Sequence, residues 1–520
     1  MLDLESLPAT IDEVLHEKVR SFGEKVLLEY PDDDRSFTYA EFSEHVDRAA
    51  LRLVGAGVQP GECVAVMLPN IPLFPVLTFA MARIGAVCVP INIRYTATEL
   101  DYVCADAGVN WIVIDDDLRS GVAAAEILST LPSAHILRPA SNNSELEGDV
   151  VATTEWLPIP IEFDRVTHIQ YTSGTTGFPK GCVLTQDYWV VAAASYGAVR
   201  RPSARSLEDS PYFYMSGPLL LMIVIWGGGT VVVPRVPTLR RFLTRVKDLR
   251  IDWCWFPQQL LKFPESDLDR DHNIEFASIY MAEPWEVDAI ADRFGVQVRD
   301  GWSMTETGFG TYVPEDRPDM MRAQSIGIPM PAREFKIVDA NLDEVDTGET
   351  GELCVRGPGM FRGYHNRPEV NSELIIEGGW FRTGDRARFD EHGHLYYSGR
   401  AKDMVRRSGE NIACVEVESV IRQLDGVEDC AVLPVPDEWR DEEVKAYVVL
   451  DERVTPQTLP PERIFAWASS RLASFKVPRY IEYREELPLT PSDKVAKGVL
   501  RNEKDDLRSD SFDRVDDVWR

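Results

Sequence analysis

The chain has 520 residues, 44% hydrophobic and 27% charged, a length too great for a single core and a composition ordinary for a soluble globular protein. Lys and Arg total 55 against 85 Asp and Glu, a net charge of −30, which argues against nucleic acid and anionic membranes as partners. An anionic substrate therefore needs a locally positive cleft.

The first 165 residues alternate helix-like amphipathic segments with short β-branched runs. Ser43 to Gly55 predicts a helix, Glu62 to Leu68 a buried strand, Leu73 to Ile84 a helix stopped by Gly85, and Val87 to Ile91 and Trp111 to Asp115 two further strands. Strand, helix and strand at this spacing predict parallel sheets covered on both faces. Next comes the strand-like run Val166 to Tyr171 and then Tyr171-Thr-Ser-Gly-Thr-Thr-Gly-Phe-Pro-Lys180-Gly181, with three glycines, four hydroxyl side chains and a lysine. Glycines let the backbone curl with its N–H groups inward, and hydroxyls and a lysine add donors, the chemistry of a loop wrapped around a polyphosphate. The spacing is not that of the P-loop of nucleotide triphosphatases.

The longest apolar run, Pro218 to Val233, holds Gly227 to Gly229 at mid-chain and predicts a buried helix, a glycine turn and a strand in preference to a membrane span. A second α/β cycle continues through the strand Thr230 to Pro234, the helix Phe242 to Leu249 and the strand Trp253 to Phe256. From Glu334 to Val355 the texture is that of a compact antiparallel β module. After Arg400 the pattern is smaller and α+β, with a helix Val415 to Gln423, strands Glu428 to Pro434 and Ala446 to Leu450, and a helix Pro461 to Leu472. Residues from about 502 onward alternate in charge with few apolar groups and predict a tail. The expected architecture is an α/β N-terminal domain over 1–401, with two doubly wound sheets and the β module, followed by an α+β domain over 402–520.

The eight cysteines (63, 88, 104, 182, 254, 354, 414 and 430) are scattered without a CxxC pair. They predict reduced, mostly buried thiols in a cytoplasmic protein and no zinc site. The start, Met-Leu-Asp-Leu-Glu, lacks the basic region of a signal peptide.

Four further segments are rich in polar groups: Trp302 to Thr307, Trp380 to Asp385, Ser398 to Asn411, and Leu487 to Lys494. Together, in this order and behind the phosphate loop, they resemble the adenylate-forming (ANL) superfamily, which includes acyl-CoA synthetases, adenylation domains of peptide synthetases and firefly luciferase. The likeness runs from about Phe37 to Arg501. Within it, Thr305 to Phe309 and Ser325 to Pro329 resemble crotonobetaine/carnitine-CoA ligase-like members.

The resemblance implies a two-step AMP-forming acid–thiol ligation using ATP, Mg²⁺ and coenzyme A. A carboxylate attacks the α-phosphorus, pyrophosphate leaves, and a thiol then displaces AMP. By resemblance, Thr172, Ser173, Gly174, Thr175, Thr176, Gly177 and Lys180 hold the β- and γ-phosphates, Thr305 donates to the α-phosphate, and Glu306 holds Mg²⁺. Trp302 falls where an aromatic stacks on adenine, while Asp385 and Arg400 reach the ribose. Lys402 sits at the hinge of a mobile C-terminal lid, or is an ordinary linker lysine. Lys494 bridges the carboxylate and α-phosphate, with Lys497 close by as a rival, and Gly409 faces the pantetheine arm.

The substrate pocket is expected around Tyr214, Gly217, Met281, Ala282 and Glu283, with Trp226, Trp255 and Phe256 as further apolar lining. Ser303 and Asp493 stand where the family has glycine, Trp302 where it has tyrosine, and the bulkier Tyr280 to Pro284 replaces a small-residue strand. Glu283 could counter a cationic substrate, or be salt-bridged or solvated. Coenzyme A and a carrier protein both end in phosphopantetheine, so the motifs do not separate them. A non-catalytic nucleotide-binding relative, the identity of the acid and a homodimer all stay open.

Overall fold

The computed structural model describes residues 2–147, 162–172, 179–200, 204–236, 238–279, 282, 284–400, 404–407, 410–472, 474–490 and 494–520. These divide into two compact units. The first takes in the chain up to Phe335 together with Val355–Phe381, and the second holds Lys336–Cys354 and Arg382–Arg520.

In the first unit, one sheet has the order Ile136–Leu137, Val109–Ile114, Cys63–Met67, Val87–Pro90, Val166–Thr172 and Lys180–Thr185. Its neighbours are parallel except the last pair, an antiparallel hairpin. Cys63–Met67 and Val87–Pro90 are buried at every residue, as strands covered on both faces must be. The helix Leu73–Ile84 between them is apolar nearly all round and wholly buried; Arg83, its one charge, is paired with Asp12 and Asp47. It stops at Gly85, whose φ of 73° supplies the left-handed cap. Thr38 with Glu41, and Thr96 with Glu99, form reciprocal capping boxes that start the helices Tyr39–Ala56 and Ala97–Ala107.

A second sheet has the order Arg35–Thr38, Val26–Tyr30, Thr230–Val232 and Arg205–Leu207. The predicted strand at 253–256 is corrected here. Trp253 bridges Ser206 on one side and Trp255 bridges Ser278 on the other, each singly. Two neighbours share alternate residues of one short extended segment, so neither ladder grows beyond a single bridge. The segment thereby joins this sheet to the parallel pair Phe276–Ser278 and Gln297–Arg299. The long apolar run is the helix Ser216–Gly227, a left-handed Gly228 and the strand Thr230–Val232, as expected. Among the described residues no helix is long and apolar enough to cross a membrane. All eight cysteines are free and buried.

In the second unit the strands Leu395–Arg400, Trp380–Phe389, Gly351–Arg356 and Glu334–Val338 lie side by side in that order. Trp380–Phe389 pairs antiparallel with Leu395–Arg400, and residues 382–400 cluster with this unit. A further sheet has the order Glu410–Ala413, Met404–Arg407, Asp441–Leu450, Tyr480–Arg484, Phe512–Asp513 and Val518–Trp519, with Val427–Asp437 also paired to Asp441–Leu450. The helices Cys414–Arg422 and Pro461–Ser469 share its apolar core.

The expected tail from about 502 is a second correction, since its last residues pair as strands of this sheet. The charge pattern misleads because the acids are matched. Asp513 is fully buried and lies 3.1 Å from Arg479 and 2.6 Å from Arg520.

Candidate active site

The strands on either side of the Gly-rich segment, Val166–Thr172 and Lys180–Thr185, pair antiparallel. Thr172 stands opposite Lys180 across the ladder, and its hydroxyl donates to the Lys180 carbonyl at 3.4 Å. Ser173, Gly174, Thr175, Thr176 and Gly177 lie outside the described residues. Gly181 is required by space, because a Cβ there would stand 2.5 Å from the Ile169 side chain and 3.1 Å from the Tyr171 ring. Pro179 is braced by the Tyr102 hydroxyl, which donates to its carbonyl at 3.1 Å. Tyr102 in turn accepts from Arg367, which pairs with Asp106 at 2.8 Å.

Ser303–Met304 and Gly308–Phe309 form a tight antiparallel pair that presents Thr305 and Glu306 at its turn. Glu306 is 6% exposed, and its carboxylate accepts from the Tyr364 hydroxyl. The Lys180 ammonium lies 5.1 Å from the centre of the Tyr364 ring. Two predicted residues of the phosphate and metal machinery, 126 positions apart in the chain (306 − 180), are thus joined through Tyr364. Cys182 lies close by; burial first, and then the Glu306 charge, push its thiol well above the ordinary range.

The backbone of this turn is pinned from three sides. Tyr188 donates to the Thr305 carbonyl at 3.0 Å, and the Phe361 N–H donates to the Glu306 carbonyl at 2.9 Å. Arg333 reaches the Thr307 carbonyl with both Nε (3.1 Å) and Nη2 (2.6 Å). The same guanidinium donates to the carbonyls of Ala332, Pro358 and Gly359. Burial lowers its pKa to about 10, with Tyr188 and Asp187 opposing the shift. Among the described residues no group of three or more His, Cys, Asp or Glu side chains is placed to hold a metal ion by itself. The single buried carboxylate of Glu306 nonetheless suits Mg²⁺, which typically takes one or two protein carboxylates and completes its shell with water and substrate phosphates.

A cleft opens beside the turn, about 360 Å³ when the space open to solvent is included; Gly301, Trp302, Ser303 and Phe309 contribute to it, with Trp255 and Tyr196. Trp302 is 7% exposed and packs edge-on against Phe335, and a Cβ on Gly310 would stand 2.3 Å from its ring, so only glycine fits there. Several expected lining residues go elsewhere. Trp226 lies under Lys18, Phe256 packs in the core against Phe242 and Phe294, and Ala282 belongs to that same core. Tyr214 packs edge-on against Phe213 and accepts from the Asn92 amide, and Gly217 makes room for the Tyr212 ring. None of these five is among the described lining of the cavity. Met281 and Glu283 lie outside the described residues.

In the second unit Asp385 is 2% exposed and stands opposite Arg400 across an antiparallel ladder. Thr383 fixes its turn, accepting from the Asp385 N–H at 3.0 Å and donating to the Leu353 carbonyl at 2.8 Å. Lys494 is exposed and closes a small loop, its N–H donating to Thr490 Oγ1 and its carbonyl accepting from the Thr490 N–H at 2.7 Å. Its rival Lys497 is held 2.6 Å from the buried Glu418, a structural pairing. Lys402, Gly409 and Asp493 lie outside the described residues.

The first unit carries the phosphate-loop hairpin and the Thr305–Glu306 turn, the second the Asp385 and Lys494 segments, and comparison with known proteins finds the same pairing of modules. Residues 15–365 match the model of the AMP-binding enzyme family, and residues 416–494 that of the AMP-binding enzyme C-terminal domain. The chain belongs to the AMP-binding enzyme family. Within that family it is 32% identical to a crotonobetaine/carnitine–CoA ligase of Citrobacter koseri, over 92% of this chain and 96% of the relative. It is 31% identical to the ligase of the same name from Proteus mirabilis, over 90% and 93%. Among solved structures, ATP-bound MatB from Rhodopseudomonas palustris superposes with a TM-score of 0.84 at 26% identity, covering 95% of this chain and 98% of that one.

The sequence reading of this AMP-binding chain missed Tyr364, Arg333 and Tyr188. A signal for Tyr364 existed in the glycine-spaced aromatic run Gly359 to Tyr364 that follows a strand. Nothing local marks Arg333, a lone arginine among prolines whose carbonyl partners come partly from 25 residues further along the chain.

Proposed function

We propose that this chain activates a carboxylic acid as its acyl-adenylate and passes the acyl group to coenzyme A. The reading rests above all on the buried Glu306 carboxylate, oriented by Tyr364 next to the phosphate-loop lysine. A carboxylate is a poor electrophile, and linking it to AMP gives it a good leaving group. In the first step a carboxylate oxygen bonds to the α-phosphorus of ATP while the bond to the departing pyrophosphate breaks. In the second step the thiol sulfur bonds to the acyl carbon, AMP leaves with the electron pair of the broken C–O bond, and the thiol proton passes to solvent.

Negative charge gathers on the phosphates throughout, so positioned cations and backbone donors carry the catalysis. Thr172, Lys180 and the loop between them would cradle the β- and γ-phosphates, and Thr305 would donate to the α-phosphate. Glu306 would hold Mg²⁺, which when bound neutralises charge on the leaving pyrophosphate. Asp385 and Arg400 would take the ribose, and Trp302 would flank the adenine. Lys494 would bring an ammonium to the reacting oxygens; its exposure on a short closed loop fits a group that is delivered and withdrawn.

Curated relatives that are themselves CoA ligases favour coenzyme A over a carrier protein as acceptor. Eight buried free thiols suit a reducing compartment, so a cytoplasmic setting is the natural one. The test is carboxylate-dependent exchange of labelled pyrophosphate into ATP by the purified full-length protein. Lys494→Ala should lower exchange by roughly 10²–10³, the worth of one transition-state charge contact. Full exchange in that variant, or thioester found on a carrier protein and never on coenzyme A, would overturn the assignment.

A further inference from the structure

The cavity beside Trp302 holds unspent donors that an apolar acid could not use. Tyr196 is 6% exposed, and its hydroxyl is buried without a hydrogen-bond partner; Nη1 of Arg200 is buried in the same condition. Both residues line the cavity. Burial raises the Tyr196 hydroxyl's pKa and the neighbouring Arg200 and Ser278 pull it back, so three polar groups converge although neither neighbour meets the hydroxyl with hydrogen-bond geometry. Arg200 is held in place there, its Nη2 donating to the Val313 carbonyl at 2.9 Å and its guanidinium 5.6 Å from the centre of the Tyr312 ring.

Arg299 supplies a second positive charge to the lining, but its donors are spent on carbonyls of Pro314 (3.2 Å) and Val298 (2.8 Å) and on Gln297 Oε1 (3.1 Å). Burial, and then the charge of Arg200, hold its guanidinium below the ordinary value. Asp300 is the sole carboxylate in the described lining, and it accepts the Gly301 N–H at 2.7 Å. Glu315 and Asp316 also act on Arg299, so the selecting feature is the pair of unpartnered donors and not net charge. Buried donors left without acceptors are costly, and a ligand that brings the acceptor removes that cost.

We propose that this cavity takes a small acid bearing a second anionic group away from the carboxylate to be activated, and that Arg200 Nη1 and Tyr196 Oη donate to that second group. The inference rests on the adenylation reading and names its substrate class. Gly301 to Ser303 run directly into the Thr305–Glu306 turn, so the reacting carboxylate belongs at that end and the second anion at the arginine end. An acid ending in trimethylammonium offers neither Arg200 nor Tyr196 an acceptor.

The test compares acids of matched size with the purified full-length protein: adipate with hexanoate, isophthalate with benzoate, and γ-trimethylammoniobutyrate. ATP-to-AMP turnover should favour each diacid over its monoacid by about 10- to 100-fold in kcat/KM, the range of one charged hydrogen bond. Arg200→Met should bring that ratio to about one, and Arg200→Lys, which keeps the charge but loses the fork, should leave an intermediate ratio. Preference for the monoacids or the betaine, or a ratio that survives Arg200→Met, would overturn the proposal.

Quenching of tryptophan fluorescence by the diacids reads binding without chemistry, because Trp255 and Trp302 line the cavity. Saturable quenching in the wild type, weakened in Arg200→Met, is the expected result. Saturable binding with no turnover on any acid would sink the adenylation reading and leave the pocket assignment standing. No saturable binding of either diacid would overturn the pocket assignment itself.

Discussion

Tyr364 touches the two charges that the site most needs to keep apart and in place. Its ring face lies under the Lys180 ammonium, where the ring quadrupole attracts a cation, and its hydroxyl donates to Glu306. Tyr364→Phe keeps the ring and removes the hydroxyl. The apparent Mg²⁺ requirement of pyrophosphate exchange should then rise roughly tenfold or more, in line with a hydrogen bond to a charged group. An unchanged Mg²⁺ titration would show that Glu306 needs no such support. Glu208 illustrates a different residue-level effect. It is fully buried, one carboxylate oxygen has no partner, and burial raises its pKa to about 7 against Ser210, whose hydrogen bonds lower it. The native state therefore binds this proton more tightly than the unfolded chain, whose value is near 4.5. The stabilisation is complete below that unfolded value and is lost as pH climbs through about 7. Melting temperature should fall between these limits, and Glu208→Gln should flatten the slope.

At the scale of elements, local sequence signals and tertiary demands agree in some segments and part in others. The helix Leu73–Ile84 was legible to the residue, because an uninterrupted apolar run ending in glycine has no other compact solution. The segment 253–256 was not, because a ladder needs neighbours in register and only the fold places Ser206 and Ser278 on its two sides. The C-terminal strands Phe512–Asp513 and Val518–Trp519 were hidden for a related reason. Alternating charge reads as solvated until the partners of each charge are known, and Asp513 is matched by Arg479 and Arg520 from inside the sheet. Deleting residues 511–520 removes both strands and leaves the Arg479 guanidinium short of its Asp513 partner. The second unit should lose about 3–5 kcal/mol, as when one member of a buried pair is removed. Thermal unfolding and limited proteolysis would register the loss, and an unchanged melting curve would return these residues to the status of a tail.

For the whole molecule, a net charge of −30 sets a field that works against every anionic substrate, while Lys180 sets a positive charge at contact range beside Tyr364. Salt screens the distant charges more than those at contact range, since the Debye length falls from ~20 Å to ~7 Å between ~20 and ~200 mM. The kcat/KM for ATP should accordingly rise about two- to fivefold over that range before it falls. A monotonic fall from the lowest salt would mean that the local cleft outweighs the global field at all distances.

Read along the chain, the residues were enough to fix the α/β class, the order of the modules, the family and the string of polar motifs, because periodicity, glycine placement and motif spacing are local properties. Which side chain orients Glu306, which lysine near 494 is tied to an acid, and which of the expected aromatics line the cavity were decided only by the fold. Those facts depend on contacts between residues far apart in sequence, and no local pattern encodes a distance across a folded core.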